Sequence, residues 1–170
     1  MIATKARTRF ALAAKSFGFV GSVASLGCSA AAPTAPRAIS TEQLAVMFEM
    51  AVAQQRPFNE QKAMCIGLQS IADRQMRDAP ASMVRRVAAS LRMPAYPASS
   101  CGLDIVPFVK ATGAKAMLYT VKIDNLTANG SVTFMATATC GNLGANGRQF
   151  RLVRSQGRWV ARPTGLQVLS

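Results

Sequence analysis

Histidine is absent from all 170 residues. That removes the side chain whose unperturbed pKa lies nearest neutrality, the commonest general base and the commonest metal ligand. Nucleophile–histidine pairs and histidine-held metals are therefore excluded. Four cysteines are present (Cys28, Cys65, Cys101 and Cys140), but no Cys-x-x-Cys spacing, so a reactive or metal-binding thiol finds no partner group. Acidic residues number only 7. Glu42 and Glu49 are separated by two helical turns, and Asp104 and Asp124 have no evident partner, which leaves no carboxylate pair for acid–base work. A long uninterrupted apolar run is also missing, since the stretch from Ser16 to Leu26 follows Lys15 and is rich in glycine and serine, too short for a comfortable membrane span. No catalytic, cofactor-binding or metal residue is expected, and no cofactor. A non-enzymatic role is preferred, although catalysis is not thereby excluded.

What is present is apolar material and positive charge. Half of the residues are hydrophobic, enough for one core in a chain of this length and not for two. The formal charge is +13. Lys5, Arg7, Arg9 and Lys15 belong to an opening segment without acids, and setting them aside leaves 16 basic against 7 acidic side chains, a net +9. Such a balance favours anionic neighbours.

Three basic residues in positions 1–9, then small and apolar residues to Leu26, follow the zones of a secretory signal. Residues 1–28 are read as that signal and 29–38 as an Ala/Pro tether, leaving 39–170 as a single α+β domain. Ser25-Leu26-Gly27-Cys28 resembles the lipobox of bacterial lipoproteins, with Leu26 one position closer to the cysteine than the pattern prefers. The resemblance makes Cys28 a lipidation candidate; cleavage by ordinary signal peptidase is the alternative. The proline-spaced run from Ser29 to Arg37 would let an anchored domain stand off a membrane. Export places the protein in the periplasm or tethered at the outer membrane, where thiols oxidise.

Within the mature chain, Ser40-Thr41-Glu42-Gln43 is a capping box, and Leu44, Met47, Phe48, Ala51 and Val52 follow at helical spacing until Arg56-Pro57. The short run Ala63 to Gln69 fits a strand better than a helix because Gly67 interrupts it. Asp78-Ala79-Pro80 predicts a cap with proline in the first turn, followed by a helix through Met83, Val84, Val87, Ala88 and Leu91. Met93 to Cys101 is expected to be a rigid extended loop, with Pro94 and Pro97 barring helix and ladder. From Ala116 the period becomes two: Met117, Tyr119, Val121 and Ile123 share one face, and Val132, Phe134, Ala136, Ala138 and Cys140 share one on the return. Asn129-Gly130 predicts the intervening hairpin turn through positive φ at both residues. A glycine-rich turn is expected at Gly141 to Gly147, a tight turn at Gln156-Gly157, and closing strands at Arg148–Arg154, Arg158–Arg162 and Leu166–Leu169. The expected architecture is α+β, two helices on a mainly antiparallel meander sheet of four to five strands.

Three strings, Pro94 to Cys101, Thr139 to Gly147, and Phe150 to Val160 with its Gly-Arg-Trp-Val ending, resemble small exported proteins of uncharacterised function in proteobacteria. The helix-then-meander order is also similar, in topology, to nuclear-transport-factor-2-like domains, a likeness that implies a curved sheet enclosing a pocket.

Once Cys28 is cut away or acylated, Cys65, Cys101 and Cys140 remain, one bridge and one leftover thiol in an oxidising compartment. Cys101 is the shared partner. Cys65–Cys101 is preferred, because a strand-helix-loop excursion returns near its start; Cys101–Cys140 is the alternative. Arg148, Arg151, Arg154 and Arg158, with Arg162, crowd one hairpin and are candidates for gripping phosphate or carboxylate groups. A solvated edge kept unsociable by charge is the competing and preferred reading, because strand alternation prevents all of them from converging. Trp159 and Tyr119 are expected in the core. The expected function is a non-enzymatic exported envelope protein, lipid-anchored if Cys28 is acylated, whose domain contacts a protein partner or an anionic envelope component. The alternative is a small-ligand binder with a pocket between sheet and first helix. Nucleic acid is not an expected partner.

Overall fold

A computed structural model describes residues 38–70, 75–141 and 144–169. The leader, Cys28 and the tether up to residue 37 lie outside the described residues. The first helix, α1 (Thr41–Gln54), begins as the capping box requires: Ser40 Oγ accepts from the Gln43 N–H at 3.2 Å, and Gln43 Oε1 accepts from the Ser40 N–H at 2.8 Å. Leu44, Met47, Phe48 and Ala51 form its buried face.

The strand β1 (Ala63–Gln69) follows. Met64 and Ile66 enter the main core, whereas Ala63 and Cys65 enter a smaller cluster with Val109 and Ala116. Both faces of β1 are thus covered, which explains its unbroken apolar run. After the short β2 (Arg77–Asp78), α2 (Ala81–Leu91) buries Met83, Val84 and Val87. The expected Asp78 cap does not form. Pro80 occupies the cap position without a side-chain bond, because pairing of β2 with β1 carries Asp78 away. Its carboxylate instead accepts from the Ser99 N–H and Oγ–H, each at 2.7 Å.

Met93 to Cys101 is not the unpaired loop expected. Ala95–Pro97 form β3, parallel to β1, followed by a 3-10 turn at Ala98–Ser100. Proline lacks a donor but keeps its acceptor, and the Pro94 carbonyl accepts from the Met64 N–H at 2.9 Å. β4 (Cys101–Leu103) pairs with β5 (Pro107–Val109) as a separate two-stranded sheet.

The remaining strands are β6 (Ala116–Leu126), β7 (Val132–Gly141), β8 (Gly144–Ser155) and β9 (Arg158–Leu169). The large sheet runs β2-β1-β6-β7-β8-β9, with β3 also on β1, seven strands rather than four or five. The class is α+β with two helices, but the sheet is mixed. β1 pairs parallel with both β3 and β6, and the rest is antiparallel. A parallel neighbour needs a crossover, which α2 supplies between β1 and β3.

Alternation along β6 and β7 places Met117, Tyr119, Val121, Ile123, Val132, Phe134, Ala136 and Ala138 in the core beneath α1. Phe134 and Phe150 stack there with ring centroids 5.6 Å apart. Cys140 is only half-buried. At the β6–β7 turn only Gly130 has positive φ, at 81°. Asn129 holds the turn differently from expectation, accepting from the Ser131 N–H through Oδ1 at 3.1 Å. The Gln156-Gly157 turn does use two positive φ values, 49° and 79°, the type I′ form. Gly141 to Gly147 is not one long turn: β7 continues to Gly141 and β8 begins at Gly144. Gly144 permits this close pairing, since a Cβ there would collide with Cys140 Sγ. Cys65 and Cys101 are bridged and Cys140 is free, the preferred of the two pairings.

Candidate functional site

β7 starts at Val132, while β8 and β9 run past it to their turn at Gln156-Gly157. The overhang of this hairpin, the β6–β7 turn and the N-terminal end of α1 enclose a cleft of about 730 Å³. Its walls include Glu42, Gln43, Gly130, Arg151, Arg154 and Trp159, with Ala38 at the point where the described chain begins. Gln43 pins two walls together: it is 5% exposed, and its Nε2 donates to the Gly130 carbonyl at 3.1 Å.

The cleft brings together two of the arginine candidates. Arg154 stands opposite Trp159 in register, with its guanidinium carbon 5.9 Å from the indole centroid, and its Nε donates to the Gly157 carbonyl at 3.3 Å. Arg151 is on the other strand face, opposite Thr133 and Arg162. Alternation would keep these two apart within a sheet. Both line the cleft because it opens at the sheet's end, where a strand face stops being a barrier. The others stay outside. Arg148 is exposed and donates from Nη2 to Gln167 Oε1 at 3.1 Å. Arg158 sits exposed beside the turn, and Arg162 is exposed on the edge strand. Arg151 and Arg154 face one acid in the cleft wall, Glu42, so the three leave one positive charge in excess.

Trp159 is not a fully buried core residue. It is half-buried, packs against the core and forms a cleft wall. Tyr119 is in the core, with its hydroxyl donating to the Gln55 carbonyl at 2.9 Å. Burial pushes the Tyr119 phenol well above its ordinary value, opposed by the positive charge of Arg56. The contributions of Ala38, Glu42, Gln43 and Gly130 to the cleft carry no sequence signal beyond the capping box, because two segments far apart in the chain, the start of α1 and the β6–β7 turn, supply them. A second hollow of about 490 Å³ lies between α1 and α2, floored by Phe48, Met83 and Val87 and crossed by an Arg86–Glu49 ion pair of 2.7 Å. A third, of about 180 Å³, adjoins Cys140 beside the Lys115–Glu60 pair, which holds the Glu60 carboxyl below its usual range.

Among the described residues, no three metal-ligating side chains cluster, and no helix is long and apolar enough to cross a membrane. Comparison with protein-family models, curated proteins and solved structures finds no match. The arrangement suits reversible binding of an anion with an apolar body. Two guanidinium groups offer forked donors, and the indole offers a flat apolar wall.

Proposed function

We propose that this is a non-enzymatic protein of the bacterial envelope, exported by residues 1–28 and lipid-anchored where Cys28 is acylated, whose domain binds a protein partner or an anionic envelope component. The observation that carries the reading is the leader followed in the same chain by the Cys65–Cys101 bridge. Disulfides persist outside the cytoplasm and are rare within it. The resemblance of the Pro94–Cys101 and Gly157–Val160 strings to small exported proteobacterial proteins supports the same location. The net +9 of the chain after the leader supports an anionic counterpart.

A second reading, a small-ligand binder, is favoured by one observation. The cleft between α1 and the sheet has the volume and mixed lining of a ligand site.

Mass spectrometry of the protein recovered from cell membranes, without reductant, tests the proposal. The expected result is a chain beginning at an acylated Cys28, with Cys65 joined to Cys101 and Cys140 as a thiol. Recovery of the uncut chain from cytosol with all four cysteines reduced would overturn it.

A further inference from the structure

The described chain begins at Ala38, and Ala38 is itself a wall of the arginine–tryptophan cleft. Only ten residue steps separate it from Cys28. A chain of that length spans at most about 35 Å. An anchor at Cys28 therefore holds the mouth of the cleft within a few nanometres of lipid head groups. We propose that the cleft is a binding site for the phosphate of an anionic lipid head group, gripped by Arg151 and Arg154. This rests on the export-and-anchor reading above and names the component that the domain contacts.

Three features of the cleft fit that occupant. Guanidinium forks match phosphate oxygens in pairs, and the Arg151 side chain has no hydrogen bond or ion pair among the described residues, so its guanidinium donors are available. Trp159 presents a half-buried indole beside them, the kind of ring that settles where apolar chain meets polar head group. Leu126 and Val153 add apolar lining, which accommodates the glyceride body below the phosphate. Glu42 opposes the anion from the α1 side, so removing its charge strengthens binding.

Trp159 is the only tryptophan in the chain, so tryptophan emission reports on the cleft wall that it forms. The protein as recovered from the cell is mixed with or inserted into vesicles of phosphatidylcholine, with or without a fraction of phosphatidylglycerol. The expected result is a change in Trp159 emission with phosphatidylglycerol only, weakening as salt rises. With each charge-assisted phosphate contact worth at least about 1.5 kcal/mol, the R151A/R154A double variant should respond about a hundredfold more weakly. The control pair R158A/R162A should keep the response, and Glu42→Gln should sharpen it. Equal loss in an R85A/R92A pair, on α2 and at its C-terminal cap, would mean diffuse attraction of a basic domain and would overturn the assignment. So would a response to inorganic phosphate in solution without one to vesicles, which marks a site for free anions. The two readings fail separately. Acylated protein with a vesicle-blind Trp159 defeats the cleft assignment alone; an unacylated, soluble chain with an Arg151- and Arg154-dependent vesicle response defeats the anchor and upholds the cleft.

Discussion

Opening the Cys65–Cys101 bridge should cost this domain a large part of its stability. The two cysteines are separated by 36 positions, and in the chain-entropy account a closed loop of that length restricts the unfolded chain by about 4 kcal/mol at 25 °C. A typical domain has only about 5–15 kcal/mol in total. The bridge also ties β1, through fully buried Cys65, to the β4–β5 hairpin, whose Val109 packs in one cluster with Ala63 and Ala116. Cys101→Ser tests the effect with little change of volume, and urea denaturation followed by circular dichroism measures it. With a slope of about 2 kcal/mol per molar urea, the midpoint should fall by about 2 M, and dithiothreitol should bring the oxidised parent toward the same value. Cys140→Ser, at a half-buried site outside the bridge, should leave the midpoint nearly unchanged. A midpoint for Cys101→Ser within about 0.5 M of the parent, or a non-reduced peptide map joining Cys101 to Cys140, would refute the reasoning.

Alkaline pH should destabilise the fold through Tyr119. Burial raises its folded-state pKa above the unfolded value, so the stabilisation is intact below about pH 10 and is lost above it, by up to about 1.4 kcal/mol per pH unit until the folded value is reached. Tyr119→Phe should flatten that decline in a pH series of urea midpoints, while costing about 1 kcal/mol at neutral pH from the lost bond to the Gln55 carbonyl. Gln43→Leu should cost about 2–3 kcal/mol, because it removes a capping partner and leaves the buried Gly130 carbonyl without its donor; an unchanged thermal midpoint would contradict that role. Counting from the two-residue turn, the Phe150–Pro163 pair exchanges no hydrogen bonds within the hairpin, so the missing N–H of Pro163 faces the open edge of the sheet. Pro163→Val restores a donor there and should promote edge-to-edge association, visible as concentration-dependent dimer by analytical ultracentrifugation.

Local chemistry alone was sufficient for much of this molecule. The Ser40–Gln43 capping box, the period-two faces of β6 and β7 and the Gln156-Gly157 turn each depend on residues a few positions apart, so their outcome can be read without knowing the fold. The preferred Cys65–Cys101 pairing was legible for a related reason, that a strand, helix and return bring the chain back near its start. Sequence did not foretell β3, because the donor that proline lacks is a local property, whereas the acceptor that it keeps gains a use only with β1 alongside. Nor did it place Asp78, which serves Ser99 once β2 pairs. The cleft is the clearest case. Alternation along β8 correctly separates Arg151 from Arg154, yet the sheet ends beside them, and only tertiary structure decides where a sheet ends. What surrounds that end, Ala38, Gln43 and Gly130, comes from segments brought together by packing, which no spacing in the chain encodes.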